Sequence, residues 1–418
     1  MRTLLVLLAA TAPAHADDLA ARAKKLQREA IVIDTHLDAP MQLAEKWADV
    51  GARGATSHFD LPRAKEGGLT APFFSIFVSP EYAVTGGATR RALELIDITR
   101  RTVDAHPNDM MLATTADDIR AAKKTGKLAI LMGIEGGHAI EDSLGVLREM
   151  YRAGVRYMTL THTNTNHWAD SSGAYFLPDF DPKQSRVHGG LSDFGRDVIK
   201  EMNRIGMIVD VSHVSDDTID DVLEVSRSPV MASHSSCRAL SAMPRNLTDD
   251  QIKRIVAKGG IVMINFSSAF LDQKSWDDFI ALEKKLLPEW QKLKKKYAKN
   301  MGPAYGALFQ MYAKAGRSHA PFTRVVDHIE HVIKVAGPDA VGLGSDFDGI
   351  EDVPQGLEDY SMLPKLTEEL LRRGHTDAEV KKVLGENFLT FLARVEASKK
   401  SLAKEPPSTA IYKSKPTR

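Results

Sequence analysis

The sequence predicts an α/β protein, a (β/α)8 barrel of the TIM type with a helical insertion before its last strand. Three observations point there. Short apolar runs alternate with longer amphipathic stretches, as repeated βα units require. Eight such runs are present, separated by room for crossover helices, and eight parallel strands can close on themselves. Neither an internal repeat nor a low-complexity linker divides the 418 residues into separate domains.

In chain order, residues 1–16 read as a cleaved secretory signal: Arg2, an apolar stretch over 4–10, and Ala14-His15-Ala16 ahead of Asp17. The protein is therefore expected to be exported, to the bacterial periplasm. The barrel is expected over 17–397, with strands at 30–34, 71–78, 128–134, 157–160, 208–211, 230–232, 261–265 and 340–343. Helix starts between them are marked by Ser215 as an N-cap and by the capping boxes Thr248/Gln251 and Thr376/Glu379. Residues 268–323, rich in Lys, Glu, Trp and Leu, form the insertion; within it Leu286, Leu287, Trp290, Leu293 and Tyr297 recur at helical spacing among lysines, a solvated amphipathic helix. Residues 398–418, rich in Lys, Pro and Ser, read as a polar, disordered tail.

Composition excludes several classes. Lys+Arg and Asp+Glu are equal at 55 each, so no nucleic acid or other polyanionic partner is implied. No stretch approaches the ~18 apolar residues that span a bilayer. Cys237 is the one cysteine, so no intramolecular disulfide can form, and any homodimer would rest on surface packing.

Parallel barrels build their active sites at the C-terminal ends of the strands, so the residues that follow each apolar run matter most. Six of the eight runs end in His, Asp or Glu: His36 and Asp38, Glu135, His162, His213, His234, and Asp346 with Asp348. Residues i and i+2 of an extended chain face the same way, so His36 and Asp38 can hold one cation. Imidazole and carboxylate are ligands that Zn2+ accepts, and there are enough here for two ions. Two cations in one mouth call for negative charge between them. Glu135 is placed to bridge, with Gly133, Gly136 and Gly137 permitting close approach. Two metals flanking a shared water lower its pKa and polarise a carbonyl oxygen, which hydrolysis of an unactivated amide requires at neutral pH. A proton carrier must serve the leaving amine; Asp346 is the leading candidate and Asp348 the competing one.

Taken in order, Asp34-Thr35-His36-Leu37-Asp38, Gly133-Ile134-Glu135-Gly136, Tyr157-Met158-Thr159-Leu160-Thr161-His162, Asp210-Val211-Ser212-His213, Ser233-His234-Ser235-Ser236, Arg245-Asn246 and Gly344-Ser345-Asp346-Phe347-Asp348-Gly349 resemble the motifs of a known family. The family is the renal or membrane dipeptidases with their bacterial relatives, zinc enzymes of the metal-dependent amidohydrolase superfamily. The resemblance runs over residues 31–396. It implies His36, Asp38 and Glu135 on one zinc, and the bridging Glu135, His213 and His234 on the other. It further implies that Asp346 handles the catalytic proton, that His162 meets the oxyanion, and that Arg245 binds the free carboxylate of a dipeptide.

The expected activity is thus hydrolysis of a dipeptide amide without a covalent intermediate. The same centre could act on another small amide, such as an N-acyl amino acid, a lactam or a D-residue dipeptide. A non-catalytic exported barrel that binds metal or peptide is the alternative from a different class, and the intact Asp346 argues against it. The chain differs from the animal enzymes in its single cysteine and its long charged insertion, and no anchor tail is expected.

Overall fold

A computed structural model describes residues 12–298 and 301–413. Nine parallel strands are present among them: β1 (Ile33–Leu37), β2 (Ala71–Phe77), β3 (Met110–Leu112), β4 (Leu128–Glu135), β5 (Val155–Thr159), β6 (Ile208–Asp210), β7 (Val230–Ala232), β8 (Ile261–Ile264) and β9 (Val341–Leu343). Their order is β2-β1-β9-β8-β7-β6-β5-β4-β3, and an added β2–β4 pairing closes eight of them into a barrel. Each of the eight expected strands is present. The ninth, β3, was not expected; it pairs with β4 through Met110↔Leu128 and stands outside the ring.

Side chains alternate across the barrel wall as strand geometry dictates. Phe73, Ala129, Leu131, Tyr157, Ile208, Met231 and Met263 cluster together and continue to Phe388, Phe391 and Leu392 of the helix Asn387–Leu402. Phe74, Ile76, Ile130 and Met132 instead join the larger core shared with the surrounding helices. Apolar packing therefore plugs the N-terminal end of the barrel, and the polar strand ends gather at the opposite mouth.

The seam between the first and last strands is short, with the register Asp34↔Leu343. It is extended beyond the strands by Asp346 N–H donating to His36 O (3.1 Å) and Asp38 N–H donating to Phe347 O (2.9 Å). Helix starts follow the sequence: Ser215 accepts from Thr218 N, and the Thr248/Gln251 and Thr376/Glu379 boxes are both reciprocal.

The insertion is helical, over Ser268–Leu271, Gln273–Lys296 and Gly302–Ala315. Its lysines are solvated while Trp290 is buried with Ala304, Leu308 and Tyr312. Trp290 Nε1 donates to Asp179 Oδ1 (2.6 Å) and the Tyr312 hydroxyl to Phe176 O (2.8 Å), which ties the insertion to the loop after β5 as a roof over the mouth.

The C-terminal segment corrects the expectation of disorder from residue 398 as far as residue 413. The last helix runs to Leu402, Ser408 N donates to Glu201 Oε2 (3.1 Å), and the Tyr412 ring stacks on His167 at 5.3 Å. Composition counted the lysines but could not see that Glu201 and His167 offer partners. Most of the expected signal, residues 1–11, lies outside the described residues; the helix Ala12–Glu29 runs through the expected cleavage point. Among the described residues no helix is long and apolar enough to cross a membrane.

Candidate active site

Two buried aspartates set the strand ends in place. Asp34 Oδ1 accepts from Ser345 N (2.9 Å) and His36 N (3.1 Å), while Oδ2 accepts from the Tyr360 hydroxyl (2.7 Å). Asp210 does the same across β6 and β7: Oδ1 accepts from Ser212 N (3.1 Å) and Ser233 N (2.8 Å), Oδ2 from Thr159 Oγ1 (2.5 Å) and Ser233 Oγ (2.6 Å). Above this layer the backbone is strained, with φ of 66° at His213 and 64° at both Asp346 and Asp348. Such left-handed conformations cost about 1–3 kcal/mol each and concentrate at functional sites.

Glu135 stands at the centre. Its Oε2 lies 3.6 Å from His36 Nε2, while Oε1 lies 3.0 Å from His213 Nε2, 3.3 Å from His234 Nε2 and 4.0 Å from His162 Nε2. His36 Nε2 also lies 3.4 Å from Asp38 Oδ2 and 3.9 Å from Asp346 Oδ1. The ligand atoms fall into three overlapping triplets, each within 4.8 Å: His36/Glu135/His234, Glu135/His162/His213 and His36/Asp38/Asp346. These cut across the expected partition. The His234 ring sits between those of His36 (3.9 Å) and His213 (5.0 Å), and His162, expected on the substrate side, lies beside His213.

Hydrogen bonding decides which nitrogen faces the centre. The proton of Ser233 Oγ goes to Asp210, so the oxygen accepts from His234 Nδ1–H (2.7 Å) and leaves a lone pair on Nε2. The Tyr157 hydroxyl donates to Thr35 O (3.1 Å) and accepts from His36 Nδ1–H (2.8 Å), so Nε2 is the nitrogen turned to Asp38 and Glu135, whose charges, against burial, help hold this imidazole well above its ordinary range. His36 Nε2, His234 Nε2 and Asp38 Oδ1 are buried without a hydrogen-bond partner. A His234 lone pair facing Glu135, and acids gathered round His36, call for a cation in this buried site, and the donor set suits a metal ion.

Burial, reinforced by the charge on Arg245, holds His213 well below the ordinary imidazole range. Burial does the same to His234, with His36 and Arg245 adding to it. Both are neutral at pH 7, the form that ligates metal. Burial also pushes Glu135 up, and pushes Asp346 up to about 7 with help from the neighbouring Asp38 and Glu135 charges. Gly349 closes the cluster from above, because a Cβ there would lie 2.3 Å from Asp38 Oδ2 and 2.6 Å from Asp346 Oδ1. A family model described as membrane dipeptidase (peptidase family M19) matches residues 20–406 of this chain.

The chain belongs to the membrane dipeptidase family. It is 36% identical over 406 residues to an uncharacterized dipeptidase of Schizosaccharomyces pombe, covering 92% of this chain and 85% of that one. Its fold matches the crystal structure of the probable dipeptidase PvdM from Pseudomonas aeruginosa with a TM-score of 0.79 at 26% identity, over 91% of this chain and 99% of that one. A metallopeptidase from Rhodobacter sphaeroides, solved with a phosphinate mimic of the dipeptide L-Ala-D-Ala, matches at 0.70 and 26% identity, over 88% and 99%. The enzyme is therefore a metallo-dipeptidase.

Around the cluster of this dipeptidase the remaining candidates separate clearly. Arg245 is buried and forms no ion pair among the described residues; its guanidinium lies over Phe270 and makes 3.4 Å bonds to Ser235 Oγ and His234 O. Burial lowers it to about 10, so it remains a cation. Asp348 is turned away: Oδ1 accepts from His58 N (2.7 Å) and Oδ2 from Ser57 Oγ (3.2 Å), bracing the 57–59 loop. The glycines serve packing more than metal approach. A Cβ at Gly133 would meet the Tyr157 ring at 2.0 Å, and one at Gly137 would meet Trp168 at 2.5 Å. Trp168 is accordingly a buried loop anchor, and Tyr175 packs on Phe180 and Trp276. His167, His188 and His375 bond to Asp142, Asn166 O and Glu330, outside the cluster. Sequence reasoning missed the roles of Tyr157, Ser233 and Asp210; the polar residues embedded in apolar runs were the available signal.

Proposed function

We propose that the chain hydrolyses dipeptides with two zinc ions, held by His36, Asp38 and Glu135 on one side and by Glu135, His213 and His234 on the other. One observation carries this reading: the two oxygens of Glu135 face different imidazoles, Oε2 towards His36 and Oε1 towards His213 and His234. A carboxylate so placed can bridge, and zinc suits the nitrogen–oxygen donor set. When bound, the ions supply an activated water and polarise the scissile carbonyl.

The protein's own residues then divide the work. Arg245, a buried cation without a carboxylate, receives the free carboxylate of the substrate. His162 is held neutral by burial, with Nδ1 3.2 Å from Thr163 Oγ1, and its ring offers an N–H to the developing oxyanion. Asp346, through Oδ1, takes the proton from water and returns it to the leaving amine. A D-residue in the second position belongs on the substrate panel, since a structural relative was solved with a mimic of L-Ala-D-Ala. Export to the periplasm is part of the same reading, supported by Arg2, the apolar residues 4–10 and Ala14-His15-Ala16.

The test is elemental mass spectrometry coupled to amino-acid release from L,L and L,D dipeptides. The wild type should carry two zinc ions per chain and lose turnover on chelation. Glu135→Gln should lose metal and activity together, and Asp346→Asn should keep metal but lose turnover by about 10²–10⁴-fold. Near-normal turnover of Asp346→Asn would remove Asp346 from its role. Bound metal without dipeptide cleavage in the wild type would move the substrate to another amide.

A further inference from the structure

Two barrel strands end without an acid or an imidazole, β2 at Phe77 and β8 just before Asn265. Asn265 is fully buried, yet its side chain reaches the site: Nδ2 donates to Asp346 Oδ2 at 2.8 Å. Its orientation is fixed from behind, because Oδ1 accepts from Ser267 N at 2.7 Å and a backbone N–H can only donate. The amide therefore presents its NH2 group to Asp346 and cannot present its oxygen without leaving the Ser267 N–H unpaired. The backbone of Asn265 is itself held, with Ser236 Oγ donating to Asn265 O at 3.3 Å. Of the two Asp346 oxygens, Oδ2 is thus engaged, while Oδ1 faces His36 Nε2 at 3.9 Å and the Gly349 backbone.

We infer that Asn265 is a positioning residue for the proton carrier: by engaging Oδ2 of Asp346 it leaves Oδ1 as the oxygen that moves the proton. This rests on the reading of Asp346 as that carrier. A carboxylate tied at one oxygen is restrained about its χ2 axis, which holds the free oxygen in one orientation towards the reacting groups. The backbone at Asp346 is left-handed, φ 64°, and its carboxylate meets this amide. Near-attack geometry is sensitive to such restraints.

The experiment uses the zinc-loaded full chain and three variants. Asn265→Asp keeps the acceptor for Ser267 N–H but replaces the NH2 donor with an oxygen, so the backbone contact survives while the hold on Asp346 is lost. Its kcat at pH 7 should fall by roughly 10²-fold, the penalty of a misplaced catalytic group. KM and zinc content should stay near wild type, while the unfolding midpoint should fall and the kcat–pH profile should move as the new buried carboxyl ionises beside Asp346. Asn265→Ala should show the same loss in kcat together with a lowered unfolding midpoint. Asp346→Asn separates the two readings. If that variant turns over normally, the carrier assignment falls and the inference falls with it. If it is inactive while Asn265→Asp retains wild-type kcat and pH profile, only the positioning inference is overturned.

Discussion

Replacing Tyr157 by Phe deletes one buried oxygen and keeps the ring in its slot beside Gly133. That oxygen accepts from His36 Nδ1–H at 2.8 Å and donates to Thr35 O at 3.1 Å. Without it the Nδ1 proton has no acceptor, and the imidazole gains by carrying its proton on Nε2, where Asp38 Oδ2 at 3.4 Å and Glu135 Oε2 at 3.6 Å can accept it. A metal ion must then displace that proton. Losing a supporting bond of this kind costs about 10–100-fold in metal affinity, or ~1.4–2.7 kcal/mol at tenfold per 1.4 kcal/mol. The metal-free fold should lose about 1–3 kcal/mol as well, because the Thr35 carbonyl is left with an unfilled acceptor position in the interior. The assay is a Zn2+ titration of stripped wild type and variant against a chromophoric chelator, with urea unfolding of both metal-free forms alongside. A Tyr157→Phe protein that binds zinc as tightly as the wild type, while its metal-free fold is weakened as expected, would show that this hydroxyl supports the barrel and not the ligand.

Two other perturbations follow from the same coordinates. Gly349→Ala would drive a methyl against Asp38 and Asp346, so metal content should fall below wild type and stability by about 1–3 kcal/mol of overpacking; full metal occupancy by elemental mass spectrometry would mean that the loop yields freely. Glu283, buried in the roof beside Tyr312, has its carboxyl pushed up from 4.5 to about 8 by burial. The folded state therefore keeps a proton that the unfolded chain gives up, and stability should decline as pH rises from about 4.5 to about 8. Glu283→Gln should remove that decline and be more stable than wild type at pH 8 by on the order of 4 kcal/mol. Urea unfolding at pH 5 and pH 8 reads it, and a wild-type slope in the variant would place the pH dependence elsewhere.

The barrel was legible because its strands are buried on both faces and so read as apolar runs, while the ligands sit where those runs stop. His36 and Asp38 announce themselves by spacing. What surrounds them does not: Tyr157 meets His36 across 121 residues of sequence, and Ser233 acts through Asp210 across 23. Nothing local distinguishes a strand tyrosine that supports a ligand from one that fills a core. Met110–Leu112 escaped notice because three residues have no readable period and the strand lies outside the ring. Asn265 was counted within a strand, and only the fold shows its amide turned towards Asp346.

The junction of β1 and β9 has a consequence for the timing of biosynthesis. His36 and Asp38 emerge from the ribosome early, Asp346 and β9 only near the end of the chain, and the hydrogen bonds that align them cross that junction. A nascent polypeptide thus carries isolated histidines and carboxylates with no common geometry. The ring that gathers them closes only when β9 pairs with β1 and β8, so the geometry of the ligand cluster is complete only once the whole barrel has been made.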